Sequence, residues 1–181
     1  MNSDNITIRL ATPDDAVGIT QVNIDTWKTA YVGFMPQALL DGLQYEDRAE
    51  KLQKVLSEGV SGITYVVAED FDRKIVGFVG GGKRRDNDEN FDAELYFIYV
   101  LDSYQGKGIG RRLTECLTEY LTRDGLNSMK VWTIKEYSSV KFYQALGAQL
   151  TGQERSKQFD GHTVVETALG WPNLSQSSLS I

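Results

Sequence analysis

The sequence predicts one mixed α/β domain in which helices flank a central, mostly antiparallel sheet. Runs rich in β-branched and aromatic residues alternate with stretches of helical periodicity. The length of 181 residues fits one domain, and no repeat, long linker or composition break marks a second one. We expect the domain to span residues 1–171 and to be followed by a flexible tail over 172–181.

The first predicted elements are a strand and a capped helix. Residues 6–10 alternate between apolar and polar, which is typical of a strand. Thr12-Pro13-Asp14-Asp15 combines an N-cap, a proline in the first turn and two acids, so a helix should begin there and run towards Tyr31. Further helices are predicted over 37–57, 109–125 and 138–146, and strands over 63–69, 74–83, 91–101, 128–134, 148–154 and 162–170.

The composition excludes several classes of protein. The formal net charge is −6, and this acidic balance argues against a nucleic-acid partner, which needs clustered basic residues. No stretch approaches about 18 uninterrupted apolar residues, and the first twenty residues lack the regions of a signal peptide. We therefore expect neither membrane association nor secretion. A single cysteine, Cys116, cannot form an internal disulfide, which favours a reducing, cytoplasmic location.

The segment between the long strand and the next helix carries the chemistry. Residues 105–112 read QGKGIGRR, and glycine is costly inside a helix, so three glycines in this position need a reason. Without Cβ atoms, backbone N–H groups at a helix start can close on an anion, and the helix dipole favours it. A glycine-rich turn with solvated basic side chains is the alternative interpretation.

Two common phosphate loops do not match this segment. A nucleoside-triphosphate loop would need glycine at Leu101 and Ser or Thr at Gly108. A dinucleotide fingerprint that starts at Gly106 would need its third glycine at Arg111. Neither nucleotide-binding class is therefore predicted.

The pattern that does match is Gln/Arg-x-x-Gly-x-Gly/Ala, formed by Gln105, Gly108 and Gly110 after a strand that ends in Ile-Tyr-Val. It strongly resembles the GNAT family, the GCN5-related N-acetyltransferases, and the resemblance extends over almost the whole chain. It implies acetyl-CoA as co-substrate, with its pyrophosphate on the loop amides and its pantetheine arm along the strand end, and no metal. The implied cofactor contacts are Ile98, Tyr99, Val100, Gln105, Gly106, Lys107, Gly108, Ile109, Gly110 and Arg111.

A second match follows the next strand. Ser139 and Phe142-Tyr143 are similar to the family's pattern there, whereas Glu136 stands where the family usually has Asn. An ionised carboxylate only accepts hydrogen bonds, while an amide also donates them. We therefore do not expect Glu136 to replace the amide as a contact to the pantetheine arm.

Two residues are candidates for proton transfer. Tyr143 is the candidate acid, because a phenol with a pKa of ~10 stays protonated at neutral pH and can donate to a departing thiolate. Glu94 interrupts an apolar strand, where we expect a raised pKa, and is the candidate base, directly or through water. The alternatives are a tyrosine that only packs on the sheet and a glutamate that remains in solvent.

Aromatic and acidic residues indicate where the acceptor amine binds and which charge it carries. Trp27 and Tyr31 lie one helical turn apart in the family's acceptor-lining region, although ordinary core aromatics have the same spacing. The surrounding stretch 26–36, with Gly170-Trp171, looks like a bacterial subgroup that includes polyamine acetyltransferases. Five acids within residues 86–94 favour a small cationic acceptor.

The predicted function is transfer of an acetyl group from acetyl-CoA to a primary amine, with a small cationic amine or polyamine favoured, by direct attack in a ternary complex. The alternatives are a non-catalytic acyl-CoA binding or sensing module, and acetylation of a protein N-terminus or lysine. Exposed strand edges at the ends of such a sheet add the hypothesis of a homodimer.

Overall fold

Seven strands form one sheet in the part of the chain that the computed structural model describes, which comprises residues 6–30, 45–59, 62–159, 162–177 and 179. The strands are β1 (Thr7–Leu10), β2 (Ile63–Glu69), β3 (Ile75–Lys83), β4 (Ala93–Val100), β5 (Met129–Ile134), β6 (Gln149–Phe159) and β7 (His162–Trp171). The helices are α1 (Ala16–Ala30), α2 (Glu46–Glu58), α3 (Ile109–Arg123) and α4 (Ser139–Ala145). None of the helices in these ranges is long and apolar enough to cross a membrane.

The strand order is β1-β2-β3-β4-β5-β7-β6, and the predicted fold class is confirmed. All neighbouring strands are antiparallel except β4 and β5, which run parallel. The predicted element order is also found, with most boundaries within one or two residues. The helix predicted over 37–57 is seen as Glu46–Glu58, and residues 31–44 lie outside the described ranges.

The two parallel strands separate beyond their first residues. β4 and β5 pair over residues 93–95 and 129–131. On the other side of β4, Leu95 faces Gly81 and Phe97 faces Gly80, which leaves Tyr96 as an extra residue in a bulge. A bulge bends its strand and increases the twist. The remainder of β4 therefore turns away from β5 and opens a gap in the sheet.

Helices cover the sheet on both faces. On one face, Ile109, Leu113, Leu117 and Leu121 of α3 are each at most 1% exposed and pack on the sheet in the larger core cluster. The i, i+4 spacing of these residues gives α3 one continuous apolar side, as its periodicity predicts. On the other face, α1 packs its own buried residues in a second cluster, which contains Ile19, Val22, Val67, Ile75 and Phe78.

The start of α1 is held by the cap that the sequence predicts. A 3-10 turn, Pro13–Asp15, precedes the helix. The Asp15 carboxylate accepts the Thr12 backbone N–H at 2.7 Å and pairs with Arg9 of β1 at 2.7 Å. Burial alone would raise the pKa of Asp15, but these hydrogen bonds lower it. The ionised cap therefore anchors α1 to the edge of the sheet.

The residues after β7 differ from the expected flexible tail. A 3-10 turn, Leu174–Gln176, follows the strand, and the Leu174 N–H donates to the Asn127 carbonyl at 2.8 Å. Leu174 and Leu179 are 2% and 1% exposed and belong to the larger core cluster. Removing these side chains from water stabilises their position on the core, which a Ser-rich composition does not reveal.

Candidate active site

A cavity of about 690 Å³ occupies the gap between β4 and β5. Residues 96–100 of β4 and 132–134 of β5 form its two sides. The start of α3 and one side of α4 line it on one face of the sheet, and α1 and the β6–β7 hairpin line it on the other. The cavity therefore joins the glycine-rich segment to the opposite face of the sheet.

Two of the three glycines at the start of α3 are required by backbone conformation. Gly106 and Gly108 have φ angles of 71° and 77°, a left-handed conformation that strains residues with a Cβ. Gly108 is the N-cap of α3, and its carbonyl accepts the Arg112 N–H at 3.1 Å. The first N–H groups of a helix have no acceptor within the helix and, with the dipole, attract anions. The turn thus presents amides at the cavity.

Gly110 has a different role. A Cβ at this position would lie 3.0 Å from the ring of Phe142, so glycine is what lets α4 approach α3 closely. The glycine-rich segment at the start of α3 and the Phe142-Tyr143 motif of α4 meet at this contact. The close packing in turn sets the position of Tyr143, the next residue of α4.

Nine of the ten predicted cofactor contacts line the cavity, and Lys107 is the exception among them. The Lys107 ammonium donates to the Ser103 carbonyl at 2.6 Å and lies 5.1 Å from the centre of the Tyr104 ring, so it folds back along its own loop. The Gln105 side-chain amide donates to the Val100 carbonyl at 2.9 Å, which braces the loop against β4. The residues that line the cavity are Ile98, Tyr99, Val100, Gln105, Gly106, Gly108, Ile109, Gly110 and Arg111.

Tyr143 lies in the cavity wall and is also firmly packed. Its ring makes edge contacts with Phe142 and Trp171, with centroids 5.1 Å and 6.2 Å apart, and the residue is 5% exposed. The Trp171 indole is itself anchored by a 2.9 Å hydrogen bond to the Leu146 carbonyl. The packing role and the cavity position, which the sequence offers as alternatives, are therefore combined in one residue.

The structure does not support Glu94 as the base. Glu94 is 2% exposed, and its carboxylate accepts three N–H groups of Arg85, from Nη2 at 2.5 Å and from Nε and the backbone at 3.2 Å. Glu94 is absent from the lining of the cavity. The predicted alternative, a charge that remains in solvent, is wrong, because Glu94 is buried and Arg85 from the preceding turn compensates its charge.

The acids near the expected acceptor mouth are also paired. Lys130 is fully buried, and its ammonium lies 2.6 Å from the nearer oxygen of Asp86 and 3.1 Å from Asp88. Asp92 accepts the Asn127 N–H and the Ser128 hydroxyl, both at 3.0 Å, and the first of these bonds is the main reason that its pKa is lowered. Asp86 and Asp88 are thus paired with the buried Lys130, and Asp92 is hydrogen-bonded within the protein, so these acids give little support to a cationic acceptor.

The remaining predicted acceptor residue that can be placed is Trp27, which lines the cavity. Tyr31 lies outside the described residues. Other lining residues on this face were missed, because their proximity depends on strand register and on the bulge at Tyr96. They are Thr26, Tyr96, Phe97, Trp132, Lys157 and Glu166.

Within the described ranges, no group of three or more His, Cys, Asp and Glu side chains is arranged to hold a metal ion.

Comparison with known proteins identifies the class to which this fold and cavity belong. The model of the acetyltransferase (GNAT) family matches residues 15–148. The uncharacterized N-acetyltransferase YuaI of Bacillus subtilis (strain 168) is 34% identical over 170 residues, covering 94% of this chain and 95% of that protein. The chain therefore belongs to the acetyltransferase (GNAT) family and is an acetyl-CoA-dependent N-acetyltransferase.

Solved structures share the fold at lower identity. YncA of Salmonella typhimurium, described as a putative acetyltransferase with its cofactor acetyl-CoA, has a TM-score of 0.71 and 22% identity, covering 95% of each chain. The PaiA N-acetyltransferase of Thermoplasma acidophilum, in complex with coenzyme A, has a TM-score of 0.67 and 20% identity, covering 90% of this chain and 97% of that one. At this level of identity, the likeness shows the fold.

The conformation of Gly108 gives a test of the anion site. Gly108→Ala is expected to weaken acetyl-CoA binding about tenfold, because a strain of about 1–2 kcal/mol would be relieved by moving the amides away from the phosphates. Isothermal titration calorimetry measures the change. Gly125→Ala is the matched control, since Gly125 has a φ of 81° but lies beyond the opposite end of α3. Equal affinities for acetyl-CoA in the two variants would contradict the assignment.

Proposed function

We propose that the protein transfers the acetyl group of acetyl-CoA to the primary amine of a small molecule by direct attack in a ternary complex. The observation that carries this proposal is the single cavity that extends from the glycine-rich start of α3 to the face of the sheet covered by α1. Because both substrates can occupy one space, no covalent enzyme intermediate is required. Trp27, and by prediction Tyr31, would line the acceptor side.

The one cysteine is poorly suited to act as a nucleophile. Cys116 is half-buried on α3 and is absent from the cavity lining. Burial raises the pKa of its thiol, and the nearby Glu119 adds to the rise. Since the thiolate is the reactive form, the residue is expected to be inert.

The proposed roles of the chain in binding follow from the walls of the cavity. The start of α3 would hold the pyrophosphate on its amides, and the end of β4, Ile98 to Val100, would pair with the pantetheine arm. With these contacts, the thioester would lie in the gap between β4 and β5, where Tyr143 is part of the cavity wall.

The chemical step exchanges the sulfur of acetyl-CoA for the amine nitrogen of the acceptor. The amine nitrogen forms a bond to the thioester carbonyl carbon, the carbon–sulfur bond breaks, and the Tyr143 phenol gives its proton to the departing sulfur. The proton lost by the amine passes to water in the cavity, and water returns a proton to the phenolate. Glu94 takes no direct part, since its oxygens are occupied by Arg85.

The acceptor class is less specific than the sequence suggested. The preference for a small cationic acceptor relied on the acids of residues 86–94, and the ion pairs of Asp86, Asp88 and Glu94 remove most of that support. The resemblance of residues 26–36 to a subgroup with polyamine acetyltransferases stays a prediction. We therefore propose a primary amine as the acceptor, without a preference for a polyamine. The domain boundary at 171, the cytoplasmic location and the homodimer stay predictions.

Two measurements test the proposal. Acetyl-CoA at 100 times its Kd is expected to stabilise the protein by about 2.7 kcal/mol in a thermal-shift experiment. Incubation with acetyl-CoA and a panel of amines, amino acids and lysine peptides is expected to release free thiol above the hydrolysis blank. No shift at millimolar acetyl-CoA would overturn the proposed cofactor site. A shift without thiol release for any acceptor would favour the binding or sensing module instead.

A further inference from the structure

The loop of residues 102–108, which joins β4 to α3, contacts the protein core through the ring of Tyr104. Within this loop Tyr104 and Lys107 are half-buried, and the other five residues are exposed. Tyr104 packs against the larger core cluster and also lines the cavity. The Lys107 ammonium lies over the same ring. The position of Tyr104 therefore affects the backbone amides that follow it at Gly106 and Gly108.

The Tyr104 hydroxyl is bound to a different part of the sheet. It donates a hydrogen bond of 2.7 Å to the carboxylate of Asp70, which lies 34 positions earlier in the turn between β2 and β3. An ionised acceptor makes such a bond shorter and stronger than a bond between neutral groups. The Gln105 amide and the Lys107 ammonium, by contrast, donate to residues 100–103 of the same segment. The bond to Asp70 thus ties the loop to a second element of the fold.

Asp70 is itself held firmly in its turn. The residue is 7% exposed, and its other carboxylate oxygen accepts the backbone N–H groups of Asp72 and Lys74, both at 3.0 Å. Burial alone would raise the pKa of Asp70, but the hydrogen bonds from Tyr104 and from these two N–H groups lower it. The bond to Asp70 in turn raises the pKa of the Tyr104 phenol. At neutral pH the carboxylate is therefore ionised and the phenol protonated, which is the combination that the bond requires.

We propose that Asp70 is a positioning residue for acetyl-CoA, because its carboxylate holds Tyr104 and, through Tyr104, the amides of the glycine-rich turn. This inference rests on the proposed function, in which these amides bind the pyrophosphate. Glycine has more conformational freedom than other residues, so a turn that contains Gly106 and Gly108 needs a contact that limits its motion. Among the described residues, Asp70 lies outside the cavity lining, so it acts on the cofactor without touching it. A loop that is already ordered loses less conformational entropy when its ligand binds, which strengthens binding.

Removal of one hydroxyl tests the connection. Tyr104→Phe keeps the ring beneath Lys107 and is expected to raise the Kd for acetyl-CoA about fivefold in isothermal titration calorimetry. KM for acetyl-CoA should also rise, while kcat at saturating acetyl-CoA stays that of the wild type, because the loop takes no part in the chemical step. A variant that merely loosened the fold would lower kcat as well. Tyr120→Phe is the matched control, since Tyr120 is also half-buried but lies outside the cavity lining, and its Kd should be unchanged.

A double-mutant cycle shows whether Asp70 acts through Tyr104. In Asp70→Ser the hydroxyl can still accept N–H groups of the β2–β3 turn, but the side chain is one bond shorter and loses the phenol. We expect acetyl-CoA to bind about fivefold more weakly to this variant and no more weakly to Asp70→Ser/Tyr104→Phe, whereas independent effects would multiply. A wild-type Kd in Tyr104→Phe, an equal rise in Tyr120→Phe, or multiplied losses in the double variant would overturn the inference and leave the proposed function intact. Failure of the wild-type protein to bind acetyl-CoA would instead remove the proposed function.

Discussion

Replacing Tyr143 with phenylalanine is expected to lower kcat for acetyl transfer about 10²-fold or more, the range of a lost general acid. Phenylalanine keeps the ring contacts with Phe142 and Trp171, so the variant should retain the packing of α4. Acetyl-CoA should stabilise it as much as the wild type. The measurement is the rate of thiol release at saturating acceptor, beside a thermal-shift titration.

The control is a half-buried tyrosine away from the cavity. Tyr120→Phe removes a phenol from α3, where the ring lies 5.4 Å from the Arg123 guanidinium and outside the cavity lining. Its kcat should equal that of the wild type. If Tyr143→Phe also retained the full rate, the phenol would have no part in the mechanism and the thiolate would leave with a proton from water.

Replacing Lys130 with methionine is expected to cost about 3 kcal/mol in the free energy of unfolding, because it leaves two carboxylates without their buried cation. Methionine is similar in length, so the volume is largely conserved. For a protein of this size the loss corresponds to a Tm lower by about 6–12 °C. Urea denaturation and thermal scans at neutral pH measure it.

The pH dependence of the stability loss in Lys130→Met distinguishes the effect of the lost charge from an effect of altered packing. Burial alone would raise the pKa of Asp88, but hydrogen bonds from Asn90, Gln153 and Lys130 lower it from 3.8 to about 2. A lowered native pKa gives stability that is complete above the unfolded value and is lost as the pH falls through the native value. The difference between wild type and Lys130→Met should therefore shrink between about pH 4 and pH 2.

A surface lysine provides the comparison. Lys54→Met removes a pair with Glu58 on α2 in which the lysine side chain is 75% exposed, and it should cost less than about 1 kcal/mol. A loss of the same size in both variants would show that the buried cluster contributes little. A loss in Lys130→Met that is independent of pH would assign the effect to packing alone.

The fold could be predicted because its signals are local. The i, i+4 repeat of Ile109, Leu113, Leu117 and Leu121 defines the buried side of α3 without knowledge of the sheet. The strand predicted over 63–69 matches β2 residue for residue, since apolar content and flanking turn residues mark both ends. The glycine-rich turn is equally local, because a φ near 70° strongly favours glycine at positions 106 and 108.

The acceptor side of the site could not be predicted in the same way. The acids of residues 86–94, which include Glu94, resemble a free anionic surface in the sequence, but in the fold Arg85 and Lys130 form ion pairs with three of them. Lys130 and Asp86 are 44 positions apart, and Lys157 reaches the cavity through the register of β6 on β7.

By itself the sequence determined the elements, the helix start and the family, because these depend on spacing along the chain. The tertiary structure alone decided which charges remain available to a ligand, because ion pairing depends on which side chains the fold brings within a few ångströms.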